Sequence, residues 1–277
     1  KMISATPKTP GVTSLDKGIA MDTQTTAPTG ISAEEWEARI DLAACYRLVD
    51  LHGWSDLLGT HISARVPGEP DNFLLNPYGN LWDEMCASDL IKVDMDGNIR
   101  SETNRFINPA GFTIHSAILK QRPDVNCAIH THTEAGTAVA TQKDGLLPLT
   151  QHALHVMAHT GYADYGGIET DPGERDRISA AINDHNVLML RNHGLVTAGA
   201  SVGEAFVWMY RAERACRMQL SLQQSGAEVA PIDEAVIEKT MALNQHLNSE
   251  KGHRTIGKHE WPALKRKLDR VNPGYQN

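Results

Sequence analysis

A chain of 277 residues with 41% hydrophobic and 22% charged residues has the balance of a folded globular protein, large enough for one sizeable core or two small ones. Its net charge of −8 argues against nonspecific nucleic-acid binding, which needs a basic face to neutralise phosphates. No apolar run approaches the roughly 18 residues of a membrane span, and the Thr- and Pro-rich beginning lacks the apolar centre of a signal peptide. Cys45, Cys86, Cys127 and Cys216 form no CxxC pair and read as reduced, mostly buried thiols. The expectation is a soluble cytoplasmic protein that binds neither nucleic acid nor a membrane.

Residues 1–31 are polar and poor in large apolar side chains, a flexible arm or one that lies on a neighbour. Ser32 with Glu35 has the spacing of a capping box, and the apolar repeat through Trp36, Ile40, Ala43 and Ala44 predicts a helix ending near His52-Gly53. The period then shortens. His61–Val66 alternates like a strand, Phe73–Asn76 reads as its partner, and Pro67-Gly68 and Pro70-Asp71 are the turn signals between them. Leu90–Asp94 is a further strand, followed by a hairpin turn at Asp96-Gly97.

A helix is expected from about Gly111 to Lys120, ended by Pro123. Val125–His130 is the next strand, and Thr133 caps a helix through Ala140. Gly161–Gly167 reads as a loop, and the charged cluster from Glu169 to Asp176 as a helix start. Val187–Leu190 is a strand running into Arg191–Gly194. A long helical repeat covers about Gly203 to Gln224, closed by Gly226, and a further helix about 232–247. From Trp261 the chain is basic, then contains Pro and Gly; it reads as surface, with 263–277 a C-terminal tail. Strands and helices mix without strict alternation, which predicts a single sheet flanked by helices.

His130-Thr131-His132 places two imidazoles at i and i+2, on one face if the strand continues that far. His193 sits where another strand ends, and Gly194 after it can take a positive φ and turn the chain. Neutral imidazole is a good ligand for Zn²⁺, Fe²⁺ or Mn²⁺, and three of them leave a position open for substrate or water. Thirteen histidines also make chance pairs common, so a surface or packed core pair is the alternative reading.

Five motifs stand in an order that resembles the class II aldolase/adducin family: Gly59–Arg65, Asn76–Gly79, Gly111–His115, His130–His132 and Arg191–Leu195. The resemblance covers about residues 34–225 and is nearer the adducin-like branch than the sugar-phosphate aldolases. It implies an α/β fold, a three-layer α/β/α sandwich around a central mixed or antiparallel sheet, over residues 32–262. It also implies a divalent metal on His130, His132 and His193, zinc first with manganese or iron as alternatives. A homotetramer with sites between subunits follows from the same likeness.

The likeness breaks at several positions. Gly111 stands where the aldolases have their acid–base glutamate. His61, Tyr78 and Pro109-Ala110 replace the residues that cradle a phosphate, so cleavage of a phosphorylated sugar is not expected. The tyrosine that the aldolases borrow from a neighbouring subunit falls near His152, whose imidazole can still donate a proton. Tyr162 could orient substrate or anchor its loop. Glu134 could act as base or fourth ligand, or simply favour a helix N-terminus. His115 and His61 are further proton-transfer candidates, with a packed helix residue the bland reading of His115. Glu204, Arg211, Glu213, Arg214 and Arg217 read as a solvated or subunit-facing helix surface, and Trp208 and Met209 as core.

Two functions fit. One is a metal-dependent lyase acting on a small hydroxy- or keto-acid, by decarboxylation or other C–C cleavage. The other is a non-catalytic, adducin-like binding module.

Overall fold

The computed structural model describes residues 26–167, 172–248 and 255–277. Of the expected N-terminal arm, 1–25 lies outside the described residues, while Ala27 and Ile31 pack against the core. The first helix, α1 (Ala33–Leu51), begins as its cap predicts: Ser32 Oγ accepts from the Glu35 backbone N–H at 3.1 Å. Glu35 does not reach back to complete the box. Its buried carboxylate is held by Arg39 at 2.8 Å and Lys92 at 2.6 Å, the second of these across to the sheet. The helix stops at His52, and Gly53 takes φ +71° to leave it.

Seven strands follow: β1 (His61–Val66), β2 (Glu69–Leu75), β3 (Ile91–Asp94), β4 (Cys127–Thr131), β5 (Thr160–Ala163), β6 (Val187–Leu190) and β7 (Gly194–Gly199). They form one sheet in the order β3-β2-β1-β4-β7-β6-β5, antiparallel throughout except for the parallel β5–β6 pair. The period of two divides it cleanly. Ile62, Ala64, Cys127, Ile129 and Leu195 face one core, with α1 and α6 (Val202–Ser225). Ala128, Val196, Ala198, Leu188 and Leu190 face the other, under α2 (Pro109–Gln121) and α5 (Pro172–Ile182). Helices on both faces of a mixed sheet make the α/β sandwich that the sequence leads one to expect. Helices α3 (Glu134–Thr141), α4 (Gln151–Met157) and α7 (Glu234–Leu247) complete the side that carries α6.

Some local readings need correction. Gly68, at φ +77°, turns the chain between β1 and β2, but Pro70-Asp71 lie inside β2. Thr160–Ala163 is an edge strand where a loop was expected. Gly161 serves it because a Cβ there would come within 2.6 Å of the Ala181 carbonyl oxygen. The charged cluster 169–176 lies partly outside the described residues, and α5 begins at Pro172.

The C-terminal stretch is not a surface tail. It forms α8 (Glu260–Val271), which buries Trp261 and Leu268, and then runs back along the molecule. Arg47 on α1 donates to Asn272 Oδ1 and the Pro273 carbonyl, both at 2.7 Å, and the Ala87 and Ser88 backbone N–H groups donate to Tyr275 and Asn277 carbonyls, both at 2.9 Å. Among the described residues no helix is long and apolar enough to cross a membrane.

Leu268 is fully buried in the main core. Leu268→Ala is therefore expected to lower unfolding stability by about 2–5 kcal/mol in a urea titration. A loss within about 0.5 kcal/mol, the range of ordinary surface changes, would show that this segment does not support the fold.

Candidate metal centre

The sheet brings three chain segments together at one end. His130 is the fourth residue of β4, flanked by His61 in β1 and Val196 in β7. The strand ends at Thr131, so His132 lies one residue beyond it. The two rings converge all the same, with Nε2 atoms 2.9 Å apart. His193 closes the turn between β6 and β7, and its Nε2 lies 2.9 Å from that of His132. The turn is made by Asn192 at φ +58°, not by Gly194 as the sequence suggested. Gly194 serves a different need: a Cβ there would sit 2.4 Å from the Thr131 carbonyl oxygen and 3.2 Å from His132 Cδ2. Without a side chain, the His193 turn can lie directly against the HxH pair.

The outer nitrogens show how the rings are set. His130 Nδ1 lies 3.0 Å from the Leu195 carbonyl oxygen, and His132 Nδ1 lies 2.9 Å from Asp56 Oδ2. A carbonyl and a carboxylate only accept, so both Nδ1 atoms carry the hydrogen and a neutral ring presents its lone pair at Nε2. Two such lone pairs 2.9 Å apart repel unless a cation or proton lies between them. Burial, then the neighbouring His61 and His193, hold the His130 pKa well below the ordinary histidine value, which disfavours the proton. Three neutral imidazoles are a donor set that suits zinc, iron(II) or manganese(II). His130, His132 and His193 form a group able to hold one ion.

The supports come from distant parts of the chain. Asp56 stands in the loop after α1, next to Leu57, which is 74% exposed and holds φ +46°. Tyr46 on α1 fixes the start of β1: its hydroxyl accepts from the Ile62 N–H at 2.9 Å and donates to Asn76 Oδ1 at 2.8 Å. Thr133 caps α3 as expected, accepting from Gly136 N–H at 3.2 Å, and its own hydroxyl donates to Glu213 at 2.6 Å. Glu213 is thus buried beneath the HxH segment, not on a solvated surface, and burial raises its pKa. Nothing local in the sequence marks Asp56 or Glu213. One is a lone loop carboxylate, and the other sits among arginines of α6, 80 residues from the threonine it holds.

Behind the triad lies a second histidine pair. His61 Nδ1 is 2.9 Å from His115 Nε2, and His115 Nδ1 is 2.6 Å from Ser63 Oγ. All three residues are buried, and burial pushes the His115 pKa down to about 3. The His61 ring centroid lies 5.0 Å from that of His130. Gly111 is what leaves it room: a Cβ at 111 would come within 2.6 Å of His61 Cδ2 and 2.8 Å of its Cγ.

The remaining candidates are not part of the group that could hold an ion. Glu134 is the exposed first residue of α3, and it is not among the residues grouped around a possible ion. His152 is exposed on α4, with no hydrogen bond to the triad among the described residues. Tyr162, in β5, accepts the Leu146 N–H at 3.0 Å, and the Arg191 guanidinium lies 4.5 Å from its ring centroid. Those contacts tie the loop after α3 to the turn that carries His193. Trp208 and Met209 are core residues.

Comparison with known proteins bears on the family and the fold. Residues 40–220 match the model of the class II aldolase and adducin N-terminal domain. An aldolase II superfamily protein from Pseudomonas syringae superposes with a TM-score of 0.82 at 42% identity, covering 89% of this chain and 98% of that one. L-fuculose 1-phosphate aldolase from Glaciozyma antarctica superposes at 0.75 with 28% identity, over 91% of this chain and 97% of its own. Rat α-adducin is 41% identical over 250 residues, which is 86% of this chain but 33% of the adducin.

Asp56 is expected to set the tautomer and angle of His132. Asp56→Ala should weaken zinc binding roughly 10- to 100-fold in competition with a chromophoric chelator. Unchanged affinity would show that the carboxylate does not orient the ring.

Proposed function

Because this chain belongs to the class II aldolase and adducin family, we propose that it is a metal-dependent lyase cleaving a C–C bond in a small hydroxy- or keto-acid, decarboxylation foremost. The observation that carries this reading is the pair of Nε2–Nε2 approaches at 2.9 Å within the triad, with the outer nitrogens of His130 and His132 committed as donors. His130, His132 and His193 would hold the ion, zinc first, with manganese or iron as alternatives. Such an ion supplies Lewis-acid polarisation of a substrate carbonyl or hydroxyl oxygen.

The groups around the triad favour a reaction that asks little of a base. Position 111 has no side chain, and His115 is fully buried behind His61. The Tyr162 hydroxyl already accepts a backbone N–H, which leaves its own hydrogen to donate. Glu134, His152 and Tyr162 are the exposed groups among the candidates. Loss of CO₂ takes no proton from the substrate, so it tolerates the missing carboxylate best. A product proton then comes from water or from one of these groups. In a homotetramer His152, facing outward on α4, would serve a neighbouring subunit's site.

The likeness to α-adducin favours a second reading, a non-catalytic binding module. The converging triad favours the enzyme, since a purely structural head has no use for an open three-histidine site.

The test is to load the protein with zinc, manganese or iron(II), incubate it with a panel of small 3-keto-acids and 4-hydroxy-2-keto-acids, and follow CO₂ and carbonyl products. Turnover in the parent, falling at least about a hundredfold in His132→Ala, is the expected result. No turnover on any acid with the metal site filled would favour the binding module.

A further inference from the structure

His61 presents a polar atom that the protein itself does not use. The β1 register puts it opposite His130, on the face of the sheet covered by α2. Ser63 Oγ has one hydrogen and, among the described residues, one partner, His115 Nδ1 at 2.6 Å. On its other side His115 Nε2 is 2.9 Å from His61 Nδ1 and 3.3 Å from the His61 carbonyl oxygen. A carbonyl can only accept, so the hydrogen on His115 belongs on Nε2, and Nδ1 accepts from the serine.

That assignment determines the next ring. His61 Nδ1 accepts, and a buried neutral imidazole then has its single N–H at Nε2. His61 is 2% exposed, yet its Nε2 makes no hydrogen bond among the described residues. That Nε2 is not one of the fully buried polar atoms without a partner among the described residues, so the little exposure the residue keeps reaches this atom, and a ligand oxygen entering from the site can accept its hydrogen. The imidazole edge that carries this atom lies over Gly111, where an added Cβ would be 2.6 Å from Cδ2 and 3.2 Å from Nε2. The ring centroid is 5.0 Å from that of His130. The unused donor therefore lies beside the triad, in space that any side chain at 111 would take.

We infer that His61, fixed as the Nε2–H tautomer by His115 and Ser63, is a substrate-binding residue that donates to a carboxylate or carbonyl oxygen of a small acid held at the triad. Gly111 is the residue that makes room for it. This rests on the metal reading of His130, His132 and His193. It adds to that reading a neutral donor, one that recognises an acid oxygen without moving a proton.

The test uses oxalate as the probe, titrated calorimetrically into zinc-loaded protein whose zinc content is measured first. His61→Leu removes the donor, Gly111→Ala keeps the histidine but drives a methyl group into it, and His61→Gln places an amide N–H near the reach of Nε2. Zinc content should be equal in all four proteins. Oxalate affinity should fall about tenfold or more in His61→Leu and Gly111→Ala, and recover at least in part in His61→Gln. Separately, ¹⁵N–¹H correlation of the parent's histidine rings should show His61 protonated at Nε2 and bare at Nδ1. Equal oxalate affinity in His61→Leu at equal zinc content would overturn the inference while leaving the metal reading in place. So would the opposite tautomer, or a zinc-filled parent that binds no oxalate. A parent that takes up no zinc would overturn the metal reading and this inference with it.

Discussion

His130 and His132 turn their Nε2 lone pairs toward each other with His193 set against them, and the fold must hold that cluster from outside. It does so through the backs of the rings. The Leu195 carbonyl takes the His130 Nδ1–H, and Asp56 takes that of His132. The turn at Asn192 and the bare Gly194 bring His193 against both. Around these contacts the rest of the architecture has a purpose. The β1–β4–β7 order sets the strand ends side by side, Tyr46 pins the start of β1, and Glu213 holds the first turn of α3 through Thr133. Preorganisation of this kind suits an ion that must be bound and left partly open.

The second layer shows how one absent side chain alters a site. A glutamate at position 111 and a histidine at position 61 could not share the present space, because even a Cβ at 111 meets the His61 ring at 2.6 Å. The chain has a neutral imidazole on β1, backed by His115 and Ser63, against a position on α2 that carries no side chain. The burial that pushes the His115 pKa down to about 3 keeps this pair uncharged near neutral pH. A site of this composition has no carboxylate at position 111 to remove a proton.

Much of this was legible in the residues, where the signals are local. Ser32, Thr133 and Gly226 mark helix ends, and they act at those ends. The alternation in His61–Val66 and the apolar run Val187–Leu190 gave strands. The HxH pair and a histidine at a second strand end were enough to suggest the triad. What escaped depends on tertiary pairing. Gly194–Gly199 is flanked by glycines and has no alternation, because it is buried throughout. Thr160–Ala163 is four residues long and is a strand only by virtue of β6. Trp261, Leu264 and Leu268 do have helical spacing, but the basic run and the Pro-Gly after it pointed to a surface tail. Asp56 and Glu213 could not be read at all, since their partners lie 76 and 80 residues away.

The central claim is that His130, His132 and His193 hold a metal ion, and elemental analysis of protein purified without chelator or added metal tests it most directly. It should be run beside the variant with all three histidines changed to alanine. The account predicts about one equivalent in the parent and none in the variant. No metal in either protein, with the fold intact by circular dichroism, would contradict it.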